Sequence, residues 1–449
     1  MKVKKESRRE FISKIATATA AVSFGGILPG FSAKSYASII GSNERVQVAM
    51  MGVNSRGLAL AQTFSKSPKC DIRYVCDVDK RATEKCIALV SKNMKKAPKA
   101  QPDFRKALED KNLDAIAIAA PDHWHAPAAI LASKAGKHVY LEKPCSHNPN
   151  EGELLVAAAA KYKNIIQMGN QRRSSPSVIA GIKELHSGVI GRPYFAKAWY
   201  SANRASIGVG KRAAVPEWLD YDLWQGPAPR REFKDNLIHY NWHWFWNWGT
   251  GEALNNGTHM IDIARWGLQL DYPTQVSSTG GRYRFQDDWE TPDTQVINLK
   301  FKDSMISWEG RSCNPKFIEN AGVGVIFYGE NGAMSFNGSN TYTIFDLQNK
   351  VIKEVNDTTK IDASNTVNPS MGLDGLHISN FLDAIQNGAK LNSEIVGGHQ
   401  STLLVQLGNI ALRSGETLNI DPSNGRILNN KNAMQYWSRE YQPGWEPVI

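Results

Sequence analysis

Val46-Gln47-Val48-Ala49-Met50-Met51-Gly52-Val53-Asn54-Ser55-Arg56-Gly57 decides how the chain is read. An apolar run ends in a short loop bounded by glycines, and helix-forming residues, Leu58 to Phe64, follow at once. The order is strand, tight turn, helix start. The first turn of such a helix carries unpaired N–H groups and the positive end of the helix dipole, which suits a phosphate. The spacing is G-x-N-x-x-G, with Asn54 where the G-x-G-x-x-G pattern has its middle glycine. Asparagine tolerates positive φ better than most residues, so the turn is expected to survive, with less assured room for a pyrophosphate. Alone, the loop reads equally well as a phosphate cradle and as a plain connection.

Downstream, Asp71 to Asp77 reads as a second strand ending in an acid, 20 residues beyond Gly57. A carboxylate there hydrogen-bonds the ribose hydroxyls of a dinucleotide and repels a 2′-phosphate, which favours NAD over NADP. Arg81 nearby weakens that preference slightly. Asp77 reads equally as the N-cap of a helix from Lys80. Phe104 to Leu108 is a short helix. Leu113 to Ala120 is a continuous apolar run bounded by Pro121, as in a parallel strand covered on both faces. An alanine-rich helix follows, closed by Gly136, and then a strand, Lys137 to Leu141, runs into Glu142-Lys143-Pro144. This alternation predicts a Rossmann-type doubly wound parallel sheet, with ligands beyond the strand ends. Glu151 to Tyr162 is a helix with Asn150 as its cap. From Tyr194 onward, strand-like runs joined by hairpin turns, among them Asn331-Gly332 and Asn337-Gly338, predict a second, α+β domain with a large, mainly antiparallel sheet.

Upstream of the loop, Ser7-Arg8-Arg9-Glu10-Phe11 precedes an alanine-rich apolar run and small-residue cleavage candidates. This is the layout of a twin-arginine signal peptide over residues 1–37, and it predicts a periplasmic protein without a stable membrane anchor. That segment holds seven Lys/Arg and two Asp/Glu, so it carries +5 of the formal +10 and leaves +5 for the rest. With no dense basic cluster, nucleic-acid binding is not expected. Five cysteines without a C-x-x-C indicate no metal site, though an exported chain could oxidise a pair. The boundaries follow as 44–170 for the NAD-binding domain, 171–420 for the α+β domain and 421–449 for an irregular tail.

Gly52-x-Asn54-x-x-Gly57, Asp77, Pro121-Asp122-His123-Trp124-His125 and Glu142-Lys143-Pro144 resemble the glucose–fructose oxidoreductase/inositol dehydrogenase (Gfo/Idh/MocA) family. The resemblance implies that Lys143 borders both nicotinamide and substrate. It implies cofactor contacts at Gly52, Asn54, Ser55, Arg56, Gly57, Asp77, Pro121, His125, Glu142, Lys143 and Gln171. It implies substrate contacts at Arg172, Asn255, Asn256 and His259, and a homodimer or homotetramer; Trp248 is a further substrate candidate from the aromatic stretch that it ends.

Trp242 to Trp248, read as a strand, puts four tryptophans on one face, equally suited to a sugar or to a core. Asn256 to Trp266 reads as a helix on which Asn255, His259 and Asp262 share a face. Oxidising a carbinol carbon requires a proton acceptor, and histidine titrates nearest neutrality. A lone helical histidine is more often structural. The inositol dehydrogenase branch carries D-x-x-x-H, whose histidine matches His259, which implies a catalytic base. Asn255 stands at the aspartate position and cannot ionise, so Asp262 or Glu252 would have to supply the charge. Lys143 is the second candidate.

The expected activity is NAD-dependent oxidation of a sugar or polyol hydroxyl, with His259 accepting the proton and Lys143 polarising the oxygen. Export from a compartment with free NAD predicts a tightly held nucleotide. A redox-neutral glycosidase or epimerase working through a keto intermediate, and a non-catalytic sugar-binding relative, are the alternatives.

Overall fold

A computed structural model describes residues 45–338, 341–356 and 371–449. The twin-arginine motif and the cleavage candidates lie outside them. The strand β1 (Val46–Met51) is buried along almost its whole length, and α1 (Arg56–Lys66) starts directly after the loop. The first sheet adds β2 (Cys70–Cys76), β3 (Lys99–Ala100), β4 (Ala115–Ile118), β5 (His138–Leu141) and β6 (Ile166–Met168) in the order β3-β2-β1-β4-β5-β6, all parallel. The Ala-Ile-Ala-Ile run of β4 is buried on both faces, which explains its lack of alternation. Strand order reverses between β1 and β4, so a crevice opens there at the strand C-termini.

The connecting helices are α2 (Lys80–Val90), α3 (Phe104–Leu108), α4 (Asp122–Lys134) and α5 (Pro149–Tyr162). Two caps differ from expectation. Asp79, not Asp77, caps α2, accepting from the amides of Arg81 and Ala82. Asn148, not Asn150, caps α5, because Pro149 occupies the first helical position, where a missing N–H costs nothing.

After α6 (Pro176–His186) comes β7 (Pro193–Ser201), the centre of the second sheet. Residues 202–250, which include α7 (Tyr221–Gln225), leave that sheet and cross to the first domain. There Lys80 N–H donates to the Trp218 carbonyl, Asp220 N–H donates to that of Val78, and Arg81 lies 3.3 Å over the Trp218 ring. Next come α8 (Thr258–Leu268), β8 (Gln275–Gly281), β9 (Thr294–Lys300), β10 (Met305–Arg311), β11 (Val323–Gly329), β12 (Gly332–Asn337), β13 (Thr341–Phe345) and β14 (Val351–Asn356). The sheet closes with β15 (Leu418–Asn419) in the order β14-β13-β12-β11-β7-β10-β9-β8-β15. Its β7–β10 pair is parallel and the rest antiparallel. β12 and β14 are strands that the sequence reading left out.

Helix α8 and α10 (Ile395–Ser414) cover one face of this sheet, and Met260, Ile263 and Leu404 pack with Phe327 and Trp308. Helix α9 (Met371–Asn387) returns to the first domain, where Phe381 and Leu382 join Phe64 and Tyr140 in its core. The tail is irregular apart from α11 (Lys431–Met434), yet it is docked. Arg439 pairs with Glu151 at 2.8 Å, and Trp445 meets Trp124 edge-on at 5.1 Å. All five cysteines are free thiols, four of them buried. No helix among the described residues is long and apolar enough to cross a membrane.

Candidate active site

The crevice between the two sheets holds a cavity of about 570 Å³ that runs from the glycine loop to the start of α8. At one end, Gly52 adopts φ +76°. A Cβ there would sit 2.6 Å from the Ala120 nitrogen, and a Cβ on Gly57 would sit 1.7 Å from the Gly52 carbonyl oxygen. Both glycines are therefore required for the close approach of β1, β4 and α1. Asn54 does not take positive φ; Gly52 alone supplies that conformation within the loop. Asn54 and Ser55 are exposed to the cavity, and no side chain caps α1. The first-turn amides are thus free of side-chain competition for an anion.

Asp77 ends β2 beside this loop. It accepts from the Val53 amide at 2.6 Å and the Asp79 amide at 2.9 Å, while burial pushes its carboxyl up from the ordinary range. Arg81 is turned away from the cavity, bonded to Asp79 and stacked on Trp218. It is not free to receive a 2′-phosphate. The loop, the uncapped helix and Asp77 fit a dinucleotide of the NAD type.

Four of the expected cofactor residues form a frame beneath the cavity. Arg56 donates to Glu142 at 2.8 Å and, through both terminal nitrogens, to Asp374 of α9. Gln171 donates to Glu142 at 3.0 Å. His125 has both ring nitrogens on carbonyls, Pro144 at 2.6 Å and Ala120 at 2.8 Å, and so ties the Pro121 and Lys143-Pro144 strand ends together.

At the far end, Ala253–Gly257 forms a single π-turn leading into α8. The widened turn brings Asn255, Asn256 and His259 together onto the cavity. Lys143 Nζ donates to the Asn255 carbonyl at 2.6 Å and to its Oδ1 at 3.0 Å. The Asn255 amide is oriented by its neighbours, since its Nδ2 donates to Glu252, which also accepts from Asn256 and Arg204. Asn255 thus presents an acceptor to Lys143, as an aspartate would, but without a charge. Burial lowers the Lys143 pKa, with Glu142 and Asp122 partly opposing. His259 Nδ1 has no hydrogen-bond partner among the described residues, and burial, reinforced by the cations of Lys143 and Arg172, drives its pKa well below 6.5.

Two expectations fail here. Trp242 to Trp248 is not a strand but a 3₁₀ turn (Asn241–Trp244) and a tight loop, with no partner strand, so its tryptophans scatter. Trp248 is buried against Trp224 outside the cavity lining, and Trp244 stacks on Trp289 at 3.9 Å. Asp262 leaves the shared face to pair with Arg173 at 2.7 Å. Glu252, paired with Arg204 at 2.5 Å, is the acid beside Asn255. Sequence reasoning missed Tyr200, Arg204 and Tyr240 in the lining; they lie on β7 and the crossing segment, and no motif marks them. Trp242 and His243, also in the lining, were within the aromatic stretch that was singled out.

Residues 46–170 match the oxidoreductase-family NAD-binding Rossmann fold, and residues 197–446 match the oxidoreductase-family C-terminal alpha/beta domain. The chain belongs to the Gfo/Idh/MocA family. As a member of that family it is an oxidoreductase-type protein whose cofactor is NAD. A glycosyl hydrolase family 109 protein of Saccharopolyspora erythraea is 26% identical over 227 residues, 47% of this chain and 49% of that protein. An alpha-N-acetylgalactosaminidase of Shewanella oneidensis is 26% identical over 179 residues, 36% and 39% of the two chains. The chain spans about half the length, or less, of the curated relatives it matches. A levoglucosan dehydrogenase solved with NADH and levoglucosan shares the fold at TM-score 0.64 and 17% identity, covering 84% of this chain and 99% of that one.

Proposed function

We propose that this Gfo/Idh/MocA protein oxidises a CH–OH group of a sugar or polyol and keeps its NAD bound through turnover. The observation that carries the reading is that Lys143, Asn255 and His259 converge on the cavity that also holds Gly52 and Asp77. Bound there, NAD supplies the hydride acceptor. The chain supplies the proton chemistry. Lys143, desolvated and hydrogen-bonded to the neutral oxygens of Asn255, has its pKa lowered by burial and takes the hydroxyl proton. His259, held neutral, hydrogen-bonds the same oxygen from the other side. These roles exchange those that the sequence suggests, because a base held far below neutrality drives proton transfer weakly.

Retention of the nucleotide has support in the crossing segment. Leu223, Trp224 and His239 of that segment line the cavity along with Asp77, and His239 is tied to the neighbouring Asp79 at 2.8 Å. This agrees with export of a loaded protein by the twin-arginine route. The family 109 relatives favour a second reading, glycoside cleavage through a keto sugar with no net redox change.

The test is turnover of a panel of sugars, cyclitols and glycosides by the purified holoprotein. A reduced-nucleotide signal with a keto-sugar or lactone product marks the dehydrogenase; a free aglycone without net reduction marks the glycosidase. Lys143→Ala is expected to lose about 100- to 10,000-fold in kcat and to be partly rescued by small amines. His259→Gln is expected to lose activity without such rescue. Wild-type rates in both variants would refute the assignment.

A further inference from the structure

Arg172 stands in the turn after β6 and lines the cavity beside His259. Among the described residues its one hydrogen bond runs from Nη1 to the Gly338 carbonyl oxygen at 2.9 Å, just after β12. No carboxylate pairs with it among the described residues. The neighbouring arginines differ in this respect: Arg56 has Glu142 and Asp374, Arg173 has Asp262, and Arg204 has Glu252. Arg172 is half-buried; a guanidinium partly withdrawn from water without an anion is costly, and this molecule compensates its other arginines here. Burial alone, with no opposing charge, brings the Arg172 pKa down to about 10.

The cofactor's pyrophosphate does not fill this gap. Its cradle is at the start of α1, after β1, whereas Arg172 follows β6. Three strand spacings separate β1 from β6, about 14 Å. The missing anion belongs at the opposite, substrate end. We infer that Arg172 binds a negatively charged substituent on the sugar, a carboxylate or a sulfate ester, and so selects an acidic sugar over its neutral counterpart. The inference rests on the reading of this cavity as a sugar site and names the substrate class within it.

A guanidinium binds either group through paired N–H donors, and a charged hydrogen bond of this kind contributes roughly 10- to 150-fold in affinity. The NAD-loaded protein is to be titrated calorimetrically with matched ligands: galactose and galacturonate, glucose and glucuronate, and glucose 6-sulfate. The same set is to be run for turnover, in wild type, Arg172→Gln and Arg172→Lys, with thermal melting as the check on folding. Tighter binding of the acids, by tenfold or more, with that preference collapsing in Arg172→Gln and partly kept in Arg172→Lys, supports the inference. The uronates against the sulfate identify the anion. Equal affinity for acidic and neutral sugars, or an unchanged preference in a folded Arg172→Gln, overturns it. If Arg172→Gln fails to fold, Arg172→Lys and the wild-type preference decide alone. Turnover of neutral sugars without acid preference would refute this inference and leave the dehydrogenase reading intact. Acid-selective binding without any turnover would do the reverse.

Discussion

A methyl group at position 57 would sit 1.7 Å from the Gly52 carbonyl oxygen, so the tightest constraint in the molecule is a pair of glycines at the mouth of the cofactor crevice. Gly57→Ala would gain about 1 kcal/mol of helix propensity and lose about 1–3 kcal/mol to overpacking. The expected outcome is a folded protein with a lower Tm and a nucleotide Kd raised tenfold or more, read by melting and calorimetry; an unchanged Kd would show that the loop relaxes freely. These glycines and Asp77 were legible because each sits in a local pattern, a loop spacing or a strand end, whereas Lys143 and His259 were singled out through the family resemblance. Arg204 and Glu252 form an ion pair across 48 positions, which no spacing rule anticipates. Trp248 was misplaced because alternation was assumed for a segment that has no neighbouring strand to pair with. Asn255 was read as a residue that cannot ionise at the aspartate position, and the amide's orientation between Glu252 and Lys143 shows how it serves as an acceptor.

Among the elements, residues 202–250 are the least legible and bear most directly on nucleotide exchange. They contain one short helix and a turn and no sustained periodicity, so sequence reasoning found only their aromatic richness. In the fold they reach the first domain through three anchors at α2: the Trp218 carbonyl, the Arg81–Trp218 stack and the His239–Asp79 contact at 2.8 Å. The stack is solvent-exposed, so it holds weakly, and its loss is expected to be felt as a few-fold effect. Trp218→Ala is therefore expected to speed NAD release by roughly two- to fivefold. Trapping released nucleotide after rapid dilution measures it; an unchanged release rate would mean that this segment does not hold the cofactor. The parallel sheet, by contrast, was legible almost strand for strand, because burial on both faces forces continuous apolar runs. β14 was missed because it is an edge strand, nearly all exposed, and carries little apolar signal; β12 lies inside the sheet and is mostly buried, but Gly332, Ala333 and Ser335 give it little strand-forming pattern.

At the scale of the whole molecule, burial sets the response to acid. His123 is depressed to about 3 and His377 and His399 to about 4, in each case mainly by burial. Once unfolded, each takes up a proton below about pH 6.5 that the native state refuses. Stability is therefore fully present above about pH 6.5 and is lost as pH falls toward about 4, at roughly 1.4 kcal/mol per unit for each histidine. Urea midpoints should fall steeply between about pH 6.5 and 5, well above the carboxylate range; a flat profile there would contradict the buried, neutral assignment. A different consequence follows from the way the chain returns on itself. Phe381 and Leu382 complete the core around β1, and Trp445 closes over α4. The first domain therefore cannot finish its own interior until α9 has been made, and α9 also supplies the Asp374 that holds Arg56 beneath the crevice. Such long-range closure slows folding. It also makes nucleotide capture a late event, an assembly checkpoint that reports on the docking of a helix whose Asp374 lies 318 positions beyond Arg56 of the glycine loop.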